Sequence, residues 1–586
     1  MPVKDVTPNS ASSFNKINKI KKFSPRYLYL VLMIFLSIYY YLVLPPFHYA
    51  SLDFWIFLAI ALIGVFIIEL FTDSSGWLQK IKNQNYQSLE IKGIKLPKKY
   101  RWFFIPIPLL LLLALAGHLI FSPLFISKQY ANLIQPVTKD FKSEFPESNI
   151  DQIPLVDRDT AVRLGNRHLG ALTDLVSQFE ASEEYTQINI SAKPYRVTPL
   201  KYAGFFKWLN NFKDGIPHYL QVDNVTGKVE VKSPEQPIRY SFAEHLGRNI
   251  YRHLRFNYPF NIFGQPSFEV DDEGIPYYIA TTYGRKFFLR EAEPTGLVIV
   301  NAMTGDHQKY ELDEVPGWVD RVYSAELIMH QLNLNGQYKN GFWNSLFAKE
   351  GVTEATEGYN YIPMNDDLYL YTGITSVVAD DSNIGFVLVN LRTKESSMFP
   401  LSAAEEFSAM QSAEGSVQET GYKATFPLLI NLQNKPMYIL TLKDSSGLIK
   451  DYALVDVQNY QQVYVAPSLT QLMKQYAEDQ PLDLESISQE NLQELTGQVE
   501  SIQAVVQDGQ TMYYFMMDGK VYQAPLALNE FLPFVQEGQD INFTVDTEGS
   551  IYSVDLSKSF GDNADEEATV EETSETTVDP LIENVN

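Results

Sequence analysis

Three long apolar runs dominate the first 121 residues of the chain. They are Tyr27–Leu44, Phe54–Phe71 and Trp102–Phe121. At about 1.5 Å of rise per residue, each is long enough as a helix to cross a hydrocarbon core of about 30 Å. Tyr and Trp side chains stand near the ends of the runs, where aromatic residues favour the membrane interface. The pattern predicts three transmembrane helices within residues 27–122.

The polar segments around these runs differ in charge. Residues 1–26 and the loop 72–101 are rich in Lys and Arg, whereas the loop between the first two runs contains neither. Basic loops remain in the cytoplasm. We therefore expect a multi-pass protein of the cell membrane with a cytoplasmic N-terminal segment and an extracellular C-terminal body. No small-residue cleavage site follows the first run, which favours an anchor over a signal peptide.

Residues 123–480 alternate strand-like and helix-like stretches. A similar hairpin pattern recurs at Gly215–Lys232, Gly274–Leu312, Asp366–Leu401 and Asn434–Pro467, where an alternating aromatic strand precedes a Val-rich or Ile-rich strand and a polar turn. Amphipathic segments at 242–256, 318–332, 403–413 and 468–477 separate the copies. We predict an extracytoplasmic α+β repeat domain of tandem antiparallel hairpin-plus-helix units, with the helices on one face of the sheets.

The turn of the pattern carries a short motif. It reads Val222-Asp223-Asn224-Val225-Thr226-Gly227-Lys228-Val229 in the first copy and Val300-Asn301-Ala302-Met303-Thr304-Gly305 in the second. The motif resembles the PepSY-like domains of bacterial envelope proteins, and residues 130–480 resemble membrane-anchored proteins of Gram-positive bacteria that carry such repeats. The resemblance implies binding or inhibition, including regulation of exported peptidases, more often than catalysis. The third and fourth copies depart from it, with Arg392-Thr393-Lys394 and Gln458-Asn459-Tyr460 at the turn.

Residues 484–558 have a different pattern from the repeat domain. Five short strand-like stretches, with a helix or loop at 526–535, predict a small β-barrel similar to an OB fold. Residues 559–586 are acidic and contain few apolar positions, so we expect a disordered tail.

Charge and composition narrow the range of partners. The chain has a net charge of −25 and contains no cysteine. After residue 101 there remain 33 basic and 66 acidic residues, so the body repels a phosphate backbone and no nucleic-acid partner is expected. The absence of cysteine excludes disulfides and thiol nucleophiles, which fits an exported protein of a Gram-positive-type envelope.

Motifs for enzyme chemistry are missing from the sequence. It has no nucleotide loop, HExxH, G-x-S-x-G or dinucleotide fingerprint, so we predict no catalytic residue, no cofactor and no metal site. One alternative is a metal bound by His245 and His253, eight residues apart on a predicted helix. Another is a weak divalent-cation site at Asp380-Asp381. A third is a membrane-surface hydrolase that uses carboxylates.

One region is the candidate binding surface. It combines a basic helix with an aromatic segment: His245, Arg248, Arg252, His253, Phe205, Phe206 and Trp208. Packing in the core is the alternative for the aromatic residues. The expected partners are the lipid bilayer and another envelope protein or a wall component. The sequence thus favours a membrane-anchored extracytoplasmic binding or scaffold protein of the bacterial cell envelope.

Overall fold

The computed structural model describes residues 25–72, 106–364, 366–479, 493–507, 510–529, 531–545, 549 and 551–556. Within these residues the chain has a mixed α+β architecture. Its helices are α1 Pro25–Val43, α2 Leu52–Thr72, α3 Pro106–Ile120, α4 Pro123–Ala131, α5 Phe141–Glu144, α6 Arg158–Gly170, α7 Thr173–Val176, α8 Phe205–Asn211, α9 Ile250–Asn257, α10 Ala325–Tyr338, α11 Phe342–Leu346, α12 Glu406–Ser416 and α13 Leu469–Asp479. Short 3₁₀ turns occur at Ile150–Gln152, Leu246–Arg248, Leu526–Leu528 and Leu532–Phe534. The N-terminal residues 1–24, nearly all of the basic loop 72–101 and the acidic tail lie outside the described residues.

Two helices, α1 and α2, are long and apolar enough to cross a membrane. The third apolar run is described only from Pro106. Its helix α3 bends by 55° into α4, and this pair counts as a third span only if the two helices are taken together. Tyr130 and Ala131 at the end of α4 are buried against the body. The finding therefore supports two membrane helices, and the third remains a prediction.

Four antiparallel sheets form most of the body. A two-residue strand β1, Val137–Thr138, precedes them and pairs in parallel with β16. The sheets contain β2 Phe179–Ala181, β3 Thr186–Ile190, β4 Lys193–Tyr202, β5 Tyr219–Asp223 and β6 Val229–Lys232; β7 Ile262–Phe263, β8 Ser267–Val270, β9 Pro276–Lys286, β10 Glu291–Asn301 and β11 His307–Tyr310; β12 Thr353–Ala355, β13 Asn360–Met364, β14 Asp367–Ser376, β15 Ala379–Asn390 and β16 Ser396–Ala404; and β17 Lys423–Ala424, β18 Leu428–Leu432, β19 Lys435–Lys443, β20 Ile449–Asp456 and β21 Val463–Ala466.

All four sheets have the same strand order. Two short strands pair with one edge of a long strand, whose other edge pairs with the next strand in the chain, and a final strand completes the sheet. The hairpins predicted in the second, third and fourth copies are confirmed as β9–β10–β11, β14–β15–β16 and β19–β20–β21. In the first copy, the segment at 215–232 contains only β5 and β6. The long strand of that sheet is β4, which α8 separates from β5.

The turn before the last strand is built in the same way in each sheet. The side-chain Oδ1 of Asp223, Asn301, Asn390 or Asp456 accepts two hydrogen bonds of 2.8–3.0 Å from the backbone N–H groups two and three residues later. An Asp or Asn side chain forms this local turn because its oxygen reaches its own backbone. The Asp or Asn, rather than the Thr-Gly that follows it in two copies, is therefore the common structural element.

We expect replacement of Asp223 by alanine to destabilise the body by about 1 kcal/mol, because two turn N–H groups lose their acceptor and only water replaces it. Asp223→Asn keeps the oxygen, as Asn301 and Asn390 do in the sister turns, and should retain wild-type stability. Denaturant unfolding followed by tyrosine and tryptophan fluorescence measures both variants. Equal losses in the two variants would contradict the proposed role of the side-chain oxygen.

The sheets pack on one another in chain order. In the second sheet, Tyr278 and Val298 pack into a core shared with the first sheet, whereas Ile279 and Ile299 pack into a core shared with the third. The third sheet is likewise covered on both faces, by the second and the fourth. The prediction that helices cover one face is wrong for these two sheets, because neighbouring sheets bury both faces.

Contacts between the fourth and first sheets close the arrangement. Lys443 Nζ at the end of β19 lies 2.6 Å from Oδ2 of Asp157, which caps the helix before the first sheet. Ile449 of β20 packs with Val222 and Val229 of the first sheet. Four sheets therefore surround a common centre, as the blades of a β-propeller do.

The C-terminal unit contains β22 Gln493–Gln498, β23 Ser501–Gln507, β24 Gln510–Met517, β25 Lys520–Pro525, β26 Asp540–Val545 and β27 Ile551–Asp555. They form two three-stranded sheets, β22–β26–β27 and β23–β24–β25. Phe515 of the second sheet and Phe543 of the first share one core. The OB-like barrel stays a prediction, because the pairings define two sheets and not a closed one.

Candidate functional site

A cavity of about 690 Å³ lies at the centre of the body, and all four sheets contribute to its wall. The lining includes Arg196 of the first sheet, Thr281 of the second, Tyr361 of the third and Ile439 of the fourth. A cavity of this size is in the range that binds small molecules. It exists only because the sheets surround a centre, so no single hairpin of the sequence contains it.

Arg196 is a buried cation in the wall of this cavity. It lies in the middle of β4, where the neighbouring strands β3 and β5 enclose it. Its Nε donates to the carbonyl of Val156 over 3.0 Å, and one terminal nitrogen donates to Oε1 of Gln187 over 3.0 Å. Burial, together with the positive charge of Arg321, lowers the pKa of Arg196 to about 10, so it remains protonated at neutral pH.

Arg321 is the second cation of the cavity. Its terminal nitrogen donates to the hydroxyl of Tyr361 over 2.8 Å, and its guanidinium lies 5.1 Å from the centre of that ring. Among the described residues, neither Arg196 nor Arg321 lies within 4.0 Å of a carboxylate oxygen, in contrast to Arg392, which pairs with Asp367 at 2.6 Å. Two protonated guanidinium groups therefore line the same cavity without an ion-pair partner.

Two buried acids lie behind the wall. Glu269 accepts a hydrogen bond from Ser267 Oγ over 2.6 Å and one from the backbone N–H of Asp320 over 3.2 Å. Asp320, in the segment between β11 and α10, accepts from the backbone N–H of Asn189 over 2.7 Å, so the group connects the first and second sheets. Burial raises the pKa of Glu269 to about 7, and burial together with the charge of Glu269 raises the pKa of Asp320. Neither acid lines the cavity.

The exposed residues of the lining mark the side from which solvent reaches the cavity. They are Arg158, Glu184, Gln265, Glu326 and Tyr359. The rings of Tyr185, Tyr323, Tyr359 and Tyr361 add aromatic surface to the wall. Asp157 also lines the cavity and is already paired with Lys443, a contact that lowers the pKa of Asp157 against the effect of its burial. The unpaired charge in the interior is consequently positive.

The structure divides the candidate binding surface predicted from the sequence. Phe205 and Phe206 at the start of α8 are exposed, whereas Trp208 is buried and donates from Nε1 to Glu244 over 2.9 Å. His245 packs edge-on against the Trp208 ring at 4.6 Å, and Arg248 donates to the carbonyl of Phe212. Core packing is thus the right interpretation for Trp208, whereas Phe205, Phe206 and His245 remain exposed.

The remaining predicted surface residues face other parts of the molecule. The helix predicted over 242–256 begins only at Ile250, so His245 and His253 do not share a helix face. A ring nitrogen of His253 lies 2.9 Å from the carbonyl oxygen of Gly305. Among the described residues no group of three or more His, Cys, Asp or Glu side chains could hold a metal ion. The metal alternative for the two histidines therefore has no geometric support.

Arg252 belongs to the contact between the body and the apolar helices. Its guanidinium lies 4.5 Å from the centre of the Tyr41 ring near the end of α1. Arg255 Nε donates to the carbonyl of Leu44 over 2.9 Å, and the N–H of Phe47 donates to the carbonyl of Pro259 over 2.8 Å. The α1–α2 loop and the body consequently lie at the same end of these helices.

A second contact connects the body with α3. Arg290 donates to the carbonyl of His118 over 2.8 Å, and the Phe288 ring stacks on Phe121 with the ring centres 6.0 Å apart. Near this contact, exposed Trp343 and Phe347 stack on one another on the side of α11. The body is therefore joined to the apolar helices at two separate places.

Comparison with known proteins leaves the chain without an assigned family. No protein family and no curated protein matches the sequence. Solved structures that align include a mutant Trypanosoma rangeli sialidase displaying trans-sialidase activity, at 8% identity, covering 59% of this chain and 53% of the sialidase, with a TM-score of 0.16. A mutant B. megaterium levansucrase aligns at 11% identity, covering 73% of this chain and 96% of the levansucrase, with a TM-score of 0.16. The chain spans about half the length of the sialidase, and scores this low support no conclusion.

Sequence reasoning did not find the cavity residues. Arg196 lies in a strand where a charged residue is normally taken to face solvent, and Arg321 lies in the segment before α10. Two signals were present in the sequence. Gln187 and Arg196 fall on strands that a short turn joins, and Tyr359 and Tyr361 are two residues apart at the start of β13. Neither signal shows that the first and third sheets face one centre.

Proposed function

We propose that this protein is a membrane-anchored, extracytoplasmic binding protein of the bacterial cell envelope, and that the cavity between the four sheets is its binding site. The observation that supports the proposal is a cavity of about 690 Å³ whose wall combines cations, tyrosines and apolar side chains from all four sheets. Concave sites with a few convergent polar groups are the usual form of a ligand site.

The end of the apolar helices at which the body lies supports the extracytoplasmic location. The α1–α2 loop, which contacts the body at Pro259 and Arg255, has no Lys or Arg. Loops without basic residues are typical of the outer face of the membrane. Since the body lies at the same end of the apolar helices as this loop, the proposal assigns the body to the outside.

A hydrolase that uses carboxylates is less favoured. Five described acids outside the apolar helices have raised pKa values, and none of them lines the cavity. Glu269, Asp320 and Glu406 have at most 2% of their surface exposed, whereas Asp271 and Asp451 are more exposed. A general acid must come within hydrogen-bond reach of its substrate. None of these acids lies where it could reach a ligand in the cavity, so they give the hydrolase alternative no reaction site.

A regulator of exported peptidases remains the second candidate. It is favoured by the PepSY-like turns and by β11, His307–Tyr310, an outer strand of the second sheet whose first three side chains are exposed. Such an edge suits addition of an extended peptide strand. Lys309 pairs with Val298 at a position where its backbone N–H faces away from β10. Proline substitution at Lys309 should weaken peptidase inhibition if this edge is used, and it should leave ligand binding in the cavity unchanged.

Single-cysteine labelling tests the proposed compartment directly, because the chain has no cysteine of its own. In intact cells, a membrane-impermeant maleimide should label Tyr49→Cys in the α1–α2 loop and Lys520→Cys in the C-terminal unit. It should label Lys22→Cys only after the cells are permeabilised. Labelling of Lys520→Cys only in permeabilised cells would refute the extracytoplasmic assignment.

A further inference from the structure

The two arginines that line the cavity have hydrogen-bonding capacity left over. Arg196 donates to one carbonyl and one amide oxygen, and Arg321 donates to one hydroxyl, so part of each five-donor guanidinium remains unused in these contacts. Both side chains line the same cavity. Burying a cation without a partner costs free energy that a bound anion would offset.

The surroundings of the pair favour an anionic ligand over other classes. Asp157 lines the cavity but has its own cation, Lys443. Against the effect of its burial, the charges of Glu269 and Asp320 act on Arg321 and raise its pKa, but both acids lie outside the lining and cannot occupy the cavity face of the guanidinium. Exposed Glu184, Glu326 and Arg158 line the side of the cavity that is open to solvent. The acidic side chains therefore lie at the open side, and the inner end of the cavity is its positive part. A cationic ligand would meet two guanidinium groups there.

We propose that Arg196 and Arg321 together bind the oxyanion of a small organic ligand, a phosphate or a carboxylate, in the cavity between the four sheets. The guanidinium group matches both anions because its planar N–H donors pair with two oxygens at once. The cavity is much larger than a phosphate ion, and its tyrosines offer surface for a ring or a sugar beside the anion. This inference rests on the proposed binding site and not on the side of the membrane.

Binding to the purified full-length protein in lipid nanodiscs tests the inference. The probes are inorganic phosphate, citrate, glucose 1-phosphate and glucose, measured by calorimetry and by the unfolding midpoint. The anions should bind and raise the midpoint, since a ligand that binds only the folded state stabilises it. Glucose, which lacks the anion, should do neither. Comparing the affinity of glucose 1-phosphate with that of inorganic phosphate shows whether the organic part of the ligand contributes to binding.

Variants identify the residues. Arg321→Met should weaken binding of the anions roughly tenfold or more, because a charge-assisted hydrogen bond is lost. Arg321→Lys keeps the charge without the planar pair of donors, so it should fall between wild type and Arg321→Met. Arg321→Lys also provides the test of Arg321 if the methionine variant does not fold. Arg239→Met, at an exposed arginine that does not line the cavity, is the matched control and should bind as wild type does.

Two results would overturn the inference. One is that none of the three anions binds the wild-type protein. The other is that Arg321→Met and Arg239→Met bind them equally. Either result leaves the proposed compartment intact, since that depends on labelling in cells. Conversely, labelling of the body from inside the cell would refute the compartment without affecting anion binding to the purified protein.

Discussion

Replacement of Gly336 by alanine is expected to destabilise the body by about 2–3 kcal/mol, a typical cost of overpacking a tight core. Gly336 is buried in α10, where a Cβ atom would stand 2.1 Å from the carbonyl oxygen of Thr353 and 2.6 Å from its Oγ1. That carbonyl belongs to β12, which pairs with β14. The helix must move away from the third sheet, since a backbone carbonyl cannot rotate aside as the end of a side chain can.

Gly415→Ala in α12 is the matched control. It is also a helical glycine, but nothing lies within 4 Å of the position a Cβ would take. Alanine favours the helix over glycine by about 1 kcal/mol, so this variant should be slightly stabilised. Chemical unfolding monitored by fluorescence measures the free energy of unfolding of both variants. Similar stabilities for the two variants would show that α10 and β12 separate without cost and would contradict the close packing.

The stability of the body should fall as the pH rises from about 4.5 to about 7, by roughly 3 kcal/mol. Burial raises the pKa of Glu269 from 4.5 to about 7 in the folded protein. Within this window the folded state keeps a proton that the unfolded state has released. Raising the pH therefore favours unfolding, and the stabilising contribution is complete only below the unfolded pKa. Burial acts on Asp320 in the same direction.

Glu269→Gln tests the origin of this dependence. The amide has nearly the same shape, cannot ionise and still offers an oxygen to the N–H of Asp320. We expect the free energy of unfolding of this variant to vary less with pH than that of wild type and to be greater than that of wild type at pH 8. Unfolding at a series of pH values measures it. Glu235→Gln, at an exposed position, should leave the profile unchanged. A Glu269→Gln profile as steep as that of wild type would exclude Glu269 as the cause.

Local elements followed from the sequence more readily than their assembly did. The alternation in Gly274–Leu312 predicts a hairpin, and β9, β10 and β11 lie within that stretch because periodicity of two is a property of the strand itself. The first predicted copy begins at Gly215, which precedes β5 and not the long strand β4. The insertion of α8 between β4 and β5 hid the match, since it interrupts the pattern that the other sheets keep.

The site was harder to predict because it depends on distant parts of the chain. Arg196 and Tyr361 are 165 positions apart in the sequence and line one cavity only because the sheets surround a centre. Periodicity identifies which face of a strand is buried and does not identify what lies opposite it. Of the residues chosen from the sequence, Phe205, Phe206 and His245 are exposed, whereas Trp208 is buried with the His245 ring against it.

The two junctions between the body and the apolar helices limit how far the cavity can travel from the lipid. With Phe47 bonded to Pro259 and Arg290 bonded to His118, no flexible tether remains at either place. Where α1 and α2 cross a bilayer, these contacts hold the body in the layer next to it. Under the proposed function, a ligand would then have to reach that layer, either by diffusion through the wall or along the membrane surface.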